Sequence, residues 1–130
     1  MNTNIETYFI KNYIKKEYQD RLLFELGSKK HREKAISRFA HDSQSVLIND
    51  FIRTTFSELK QKAFNKKCTL EKIYVVSCDQ NDGANMTFLE AIDYCEKAYM
   101  PTILIYDNFV VVKEECEGGP SNIFFLQVIK

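Results

Sequence analysis

The sequence lacks the motifs that identify the common classes of enzyme. It contains no Gly-x-Gly-x-x-Gly, no Walker loop, no His-Glu-x-x-His and no Gly-x-Ser-x-Gly. Its two histidines, His31 and His41, leave little room for a catalytic triad, and no pair of carboxylates has a spacing that distinguishes it from the others. These absences favour a protein that binds without catalysis and leave an enzyme as the weaker alternative.

Cysteine is sparse, and its spacing is not that of a metal site. The four cysteines, at positions 68, 78, 95 and 116, include no Cys-x-x-Cys pair. Cys78 is predicted at the end of a strand and Cys95 on the apolar face of a helix, where single cysteines are usually small buried thiols. We therefore expect free thiols in a reducing compartment, with no metal and no cofactor.

Long apolar runs are also missing. No stretch approaches the roughly 20 apolar residues that cross a bilayer, and the first residues contain no basic segment followed by an apolar one. The chain has no repeat and no Pro/Ser-rich linker, and its 130 residues are 45% hydrophobic and 28% charged. This composition predicts one ordered domain over residues 1–130, located in the cytoplasm and without a membrane partner.

The net charge of zero conceals an asymmetry between the two halves of the chain. Residues 1–67 carry 14 Lys/Arg against 8 Asp/Glu, whereas residues 68–130 carry 4 against 10. Opposite charges of this size indicate binding partners or mutual attraction rather than a particular fold. Attraction within the fold, or across a homodimer, is the simplest alternative to a separate partner.

Hydrophobic periodicity predicts three helices in the basic half and one in the acidic half. The first should end at Leu26, the second should span 29–41, and the third should run from Asp42 or Ser43 almost to Asn65. In the acidic half, Thr87-x-x-Glu90 is a capping box that starts a helix ending before Pro101.

Four segments are predicted as strands. Residues 73–76 are β-branched and aromatic and should be buried on both faces. Residues 102–106 and 109–113 flank Asp107-Asn108, which suits a hairpin, and 122–129 form the last strand. The expected fold is α+β in the order α-α-α-β-α-β-β-β. Its N-terminal helices should pack on a small mixed sheet, in which strand, helix and strand form a parallel crossover.

Acidic residues of the second half suggest a surface for a basic protein partner. An inhibitor or immunity-type protein that acts by electrostatic complementarity would use such a surface. For the cluster at 114–117, the alternative is a charged loop that keeps a sheet edge soluble. The candidate residues are Asp79, Asp82, Asp93, Glu96, Glu114, Glu115 and Glu117.

Basic residues of the first half suggest anion or nucleic-acid binding as the alternative function. The cluster at 29–34 should open a helix, where backbone N–H groups already favour anions. A solvated helix face is the simpler interpretation of these lysines. Arg32 should instead face inward and pair with an acidic residue such as Glu25. The candidate residues are Lys29, Lys30, Lys34, Arg38, Lys66 and Lys67.

The loop Asp79–Asn85 supports a third hypothesis, a metal- or phosphate-dependent enzyme. It follows a strand and precedes a helix, which is where open α/β sheets commonly bind ligands. Asp79, Asn81 and Glu90 occupy relative positions 1, 3 and 12, as in a calcium loop, but Gly83 stands at position 5 instead of 6. Because the capping box also employs Glu90, we predict no metal at this loop.

Overall fold

A computed structural model describes residues 2–41, 43–48, 51–66, 72–98, 100–106, 109–114 and 122–127. These residues form an α+β fold with six helices and one six-stranded sheet. The helices are α1 (Thr3–Tyr13), α2 (Lys16–Leu26), α3 (Arg32–His41), α4 (Ser43–Val46), α5 (Phe56–Lys66) and α6 (Phe88–Lys97). The strands are β1 (Ile52–Thr54), β2 (Lys72–Ser77), β3 (Asn85–Thr87), β4 (Thr102–Ile105), β5 (Phe109–Lys113) and β6 (Ile123–Gln127).

The sheet has the order β1-β6-β5-β4-β2-β3, and helices cover both of its faces. Successive residues of each central strand point to opposite faces, so Tyr74 and Val76 pack with α1–α4, while Ile73 and Val75 pack with α5 and α6. Burial on both faces explains why the strands read as continuous apolar runs. Within the described part of the chain, no helix has the length and apolar character needed to cross a membrane.

Two local predictions are confirmed. Strands β4 and β5 pair as a hairpin in which Ile105 lies opposite Val110, around residues 107–108 that lie outside the described ranges. The capping box is formed as well, since the Thr87 hydroxyl accepts from the backbone N–H of Glu90 and the Glu90 carboxylate accepts from that of Thr87. Both features depend on neighbouring residues alone, which is why sequence patterns detect them.

The predicted mixed sheet is wrong, because every pairing between the described strands is antiparallel. Sequence reasoning missed β3, a three-residue strand that folds back on β2 before α6 begins. This extra reversal changes the direction in which the chain leaves α6. Strand β4 therefore returns antiparallel to β2, with Val75 opposite Leu104, instead of parallel to it.

The predicted third helix is also wrong, because its middle forms an edge strand. Residues 52–54 pair with β6, so that Ile52 lies opposite Phe125 and is 60% exposed instead of facing a helical core. A β-branched run disfavours helix and suits a strand. The helix then restarts where the Thr55 hydroxyl accepts from the Glu58 N–H at 3.1 Å.

The first two helices begin and end at other places than expected. The predicted helix to Leu26 breaks at Ile14, which forms a β-bridge with Leu47, and the Lys15 N–H donates to the Val46 carbonyl at 2.8 Å. The predicted helix at 29–41 begins only at Arg32. Residues 29–31 form a turn instead. Lys29 and Lys30 therefore precede α3, whereas Lys34 lies within it.

Candidate functional site

Arg32 lies at the centre of a buried ionic network. Its guanidinium makes two hydrogen bonds to the Glu6 carboxylate at 2.6 and 2.8 Å, and two to the Asp82 carboxylate at 2.7 and 2.9 Å. Nη1 also donates to the Leu26 carbonyl at 2.9 Å. Burial disfavours the charged form of Arg32, but the hydrogen bonds and charges of Asp82 and Glu6 outweigh it and raise the pKa.

These contacts use all five N–H donors of the guanidinium, so Arg32 holds the fold together and has none left for a ligand. Its predicted inward orientation is confirmed, since it is 7% exposed. The predicted partner is wrong: Glu25 pairs with Arg21 and Arg38. No sequence signal identifies Glu6 and Asp82, which lie 26 and 50 residues from Arg32 along the chain.

Tyr74 extends this network to the sheet and the N-terminal segment. Its hydroxyl donates to Glu6 Oε2 at 2.5 Å and accepts from the backbone N–H of Asn2 at 2.8 Å. Burial, together with the hydrogen bond to the Glu6 carboxylate, raises the pKa of Tyr74 to about 12. Three segments distant in sequence therefore meet at one set of buried charges.

The loop at 78–84 is tied to its surroundings by hydrogen bonds. Asp82 belongs to the Arg32 network and also accepts from the Ser77 N–H at 3.1 Å. Asp79 accepts from the Ser77 hydroxyl at 2.9 Å, from the Asn81 N–H at 2.8 Å and from the Tyr94 hydroxyl. Burial alone would raise the pKa of Asp79, but these hydrogen bonds outweigh it and lower the pKa. Both acidic side chains of the loop are thus engaged with the protein itself.

A shallow cavity of about 320 Å³ lies beside this loop, between it and α3. Lys29 and Glu33 contribute opposite charges to its wall, and Cys78 lines it as well. Burial raises the pKa of the Cys78 thiol, which disfavours the nucleophilic thiolate. Among the described residues, no three His, Cys, Asp or Glu side chains converge in a way that could hold a metal ion.

Helix α6 presents a row of carboxylates to solvent. Asp93 and Glu96 are exposed and form single ion pairs with Lys97 and Lys60, each at 3.1 Å. Leu89, one turn before Asp93, is 39% exposed. Exposed pairs of this kind contribute about 0–1 kcal/mol, so their carboxylates can exchange partners at little energetic cost.

Asp82, which is bound to Arg32, and the buried Glu114 do not extend this surface. Glu114 is 9% exposed, and its carboxylate accepts from the Ser43 hydroxyl at 2.8 Å and from the Asn122 amide at 2.9 Å. Its assignment to an acidic surface is wrong, because the fold uses the carboxylate to join α4 to the sheet. Glu115 and Glu117 lie outside the described residues.

The turn between α2 and α3 carries a basic cluster with an exposed aromatic ring. Lys29, Lys30 and Lys34 are exposed. Beside them Phe24 is 68% exposed, with its ring centre 5.9 Å from that of His31. Phe24 lies between the buried Leu22 and Leu26 on α2, so a helical projection of the sequence could have detected its outward position.

Arg38 and Lys66, the other predicted basic residues that the structure describes, are separate from this cluster. Arg38 is tied to Glu25 in an ion pair. Lys66 is the last residue of α5, in the helical layer on the opposite side of the sheet. Lys67 lies outside the described residues. Within the described ranges, these candidate positions therefore do not form one continuous basic groove.

The basic turn and the acidic helix lie on opposite faces of the sheet, since α2 and α3 belong to one helical layer and α6 to the other. Among the described residues, only Arg32–Asp82 and Lys60–Glu96 form ion pairs between the two halves of the chain. Within the described ranges, ion pairs that neutralise charge between the two halves are therefore limited to these two places.

Comparison with known proteins found no matching family model, no matching curated protein and no matching solved structure.

Proposed function

We propose that this protein is a non-catalytic binding protein that recognises a basic partner protein through the outer face of α6. The acidic face consists of Glu90, Asp93 and Glu96, with Leu89 beside them. The observation that carries the proposal is the exposure of these carboxylates on the side of the sheet opposite the basic turn. An inhibitor or immunity-type role is the form of binding that this arrangement fits best.

The exposed ion pairs of α6 support reversible docking. Lys97 is 75% exposed and Asp93 is 55% exposed, so water screens their attraction and either side chain can swing away. A partner that supplies Lys or Arg could replace Lys97 and Lys60 as the counter-ion without unfolding anything. The partly exposed Leu89 would add an apolar contact at the centre of such an interface.

The engagement of the loop residues supports binding over catalysis. Asp82 accepts two hydrogen bonds from Arg32, and Asp79 accepts hydrogen bonds from three donors. The raised pKa of the Cys78 thiol disfavours its reactive thiolate. A general base, a nucleophile and an anion-binding group would each need to be available to a substrate.

The experiment uses a purified basic partner, identified first by capture and then tested alone. Titration calorimetry should give a one-to-one complex that weakens as salt rises, because exposed charges carry the attraction. The double substitution Asp93→Lys/Glu96→Lys should weaken binding by about tenfold or more. The matched control Lys30→Glu/Lys34→Glu should not. Unchanged affinity in the α6 variant, or a complex insensitive to salt, would refute the proposal.

A second candidate function is binding of single-stranded nucleic acid at the α2–α3 turn. Phe24 favours it, because an exposed ring among lysines is the combination that stacks bases and holds phosphates. Fluorescence anisotropy with single-stranded DNA and RNA tests it. Phe24→Ala should reduce affinity by about fivefold or more if the ring stacks on a base, whereas the matched control Ile52→Ala should leave affinity unchanged. Equal affinity of the two variants would eliminate this candidate.

A further inference from the structure

A pocket of about 210 Å³ lies between α2, α3 and α4, away from both α6 and the loop at 78–84. Its floor is apolar: Leu22, Ala35 and Phe39 line it and are at most 7% exposed. Tyr18, 39% exposed, stands at its edge. Because an apolar cavity of about 150 Å³ is large enough to hold benzene, this one has room for a ring with a short chain.

Among the described residues that line the pocket, two are cations and one is an anion. Arg21 Nε lies 3.2 Å from Glu25 Oε1, and Arg38 Nη2 contacts the same carboxylate oxygen. Each guanidinium has five N–H donors. Among the described residues, the ion pairs with Glu25 engage one nitrogen of Arg21 and one of Arg38. Counted over these described residues, the rim therefore has an excess of one positive charge and retains donors in the planar arrangement that suits a carboxylate.

We propose that this pocket binds a small carboxylate whose apolar body is about the size of one aromatic ring. The ring would occupy the floor formed by Leu22, Ala35 and Phe39, and the carboxylate would lie at the rim between Arg21 and Arg38. A nucleotide is too large for the space, and a simple anion would leave the apolar floor uncovered. The site is independent of the acidic face, so either proposal can fail alone.

Titration calorimetry of the full chain with 3-phenylpropionate tests the ligand class. We expect a dissociation constant below about 1 mM. The neutral amide 3-phenylpropanamide should bind about tenfold more weakly or worse, because it lacks the charge that meets the guanidinium groups. Acetate should bind as weakly, because it lacks the ring. Equal affinity for all three compounds, or no binding of 3-phenylpropionate, would overturn the proposal from measurements on the unsubstituted protein alone.

Substitutions at the rim test the location. Arg21→Gln and Arg38→Gln should each weaken binding of 3-phenylpropionate by about tenfold, and the matched control Lys30→Gln should not change it. Glu25→Gln removes the anion that competes for both guanidinium groups, so it should tighten binding by about threefold or more. Circular dichroism establishes that each variant is folded. Weaker binding in folded Glu25→Gln, or unchanged binding in both arginine variants, would place the ligand elsewhere.

Discussion

Two groups of charged residues in this protein have similar chemistry and opposite roles. Glu6 and Arg32 are buried, Asp82 is partly buried, and hydrogen bonds join both carboxylates to the guanidinium. Asp93 and Lys97 on α6 instead form one ion pair that is exposed to solvent. Burial makes the first group costly to break, because a charge left without a partner in the interior has lost its hydration. The second group contributes little to stability, which leaves it available for binding.

The substitution expected to cost the most stability is Arg32→Met, which tests whether buried and exposed charges differ in their contribution to the fold. The substitution leaves the Glu6 and Asp82 carboxylates without their cation, so we expect the free energy of unfolding to fall by about 3–5 kcal/mol. Urea denaturation at neutral pH measures the loss. The matched control Lys97→Met removes an exposed cation and should cost less than about 0.5 kcal/mol. Similar losses for the two variants would show that burial does not separate the two groups.

The buried network also predicts a loss of stability at high pH. Burial and Glu6 raise the pKa of Tyr74 from 10.0 to about 12. Below about pH 10 the hydroxyl is neutral in both the folded and the unfolded state, so its full contribution to the free energy of unfolding is present there. Between about pH 10 and 12 the unfolded chain ionises first, and stability should fall by about 2 kcal/mol. Denaturation across this range measures the fall. Tyr74→Phe should make it shallower, and an identical slope would contradict the assignment.

A local interaction should have a smaller effect than the buried network. Thr87→Ala removes the hydroxyl that accepts from the Glu90 N–H and starts α6, so it should lower the free energy of unfolding by about 1 kcal/mol. Thr87→Ser keeps the oxygen and is the matched control. Equal stability of the alanine and serine variants would mean that the hydroxyl does not stabilise the start of the helix.

The smallest effect on stability is expected at the proposed acidic face. Asp93→Asn breaks an exposed ion pair and should change the free energy of unfolding by less than about 0.5 kcal/mol. Thermal denaturation at low and high salt measures it, and the small difference should decrease as salt rises. A loss above about 1 kcal/mol would show that Asp93 serves the fold, which would weaken the case for the face as a docking surface.

Sequence reasoning succeeded where neighbours along the chain decide the structure. The Thr87 capping box and the β4–β5 hairpin are examples, as is the inward side of Arg32, because each depends on spacing within a few residues. It failed at β1 and β3, which are three-residue strands. Segments that short carry little periodicity, and β1 exists because β6, about 70 residues later, provides a partner.

The candidate site shows the same division. The exposed positions Asp93 and Glu96 follow from the amphipathic pattern of α6. Burial of Glu114 does not follow from sequence, because its hydrogen-bond partner Ser43 is 71 residues away. The pocket beside Arg21 and Arg38 could not be predicted either, since it exists only where three helices leave space between them.

By itself, the sequence determined the α+β character of the fold, the continuous apolar strands, the start of α6 and the opposite charges of the two halves. These properties depend on composition and short-range periodicity, which are present in any conformation of the chain. Only the tertiary structure decided the antiparallel sheet, the placement of the basic and acidic helices on opposite faces, and which charges are buried. The last of these depends on distant residues meeting, because a charge enters the interior only where the fold brings it a partner.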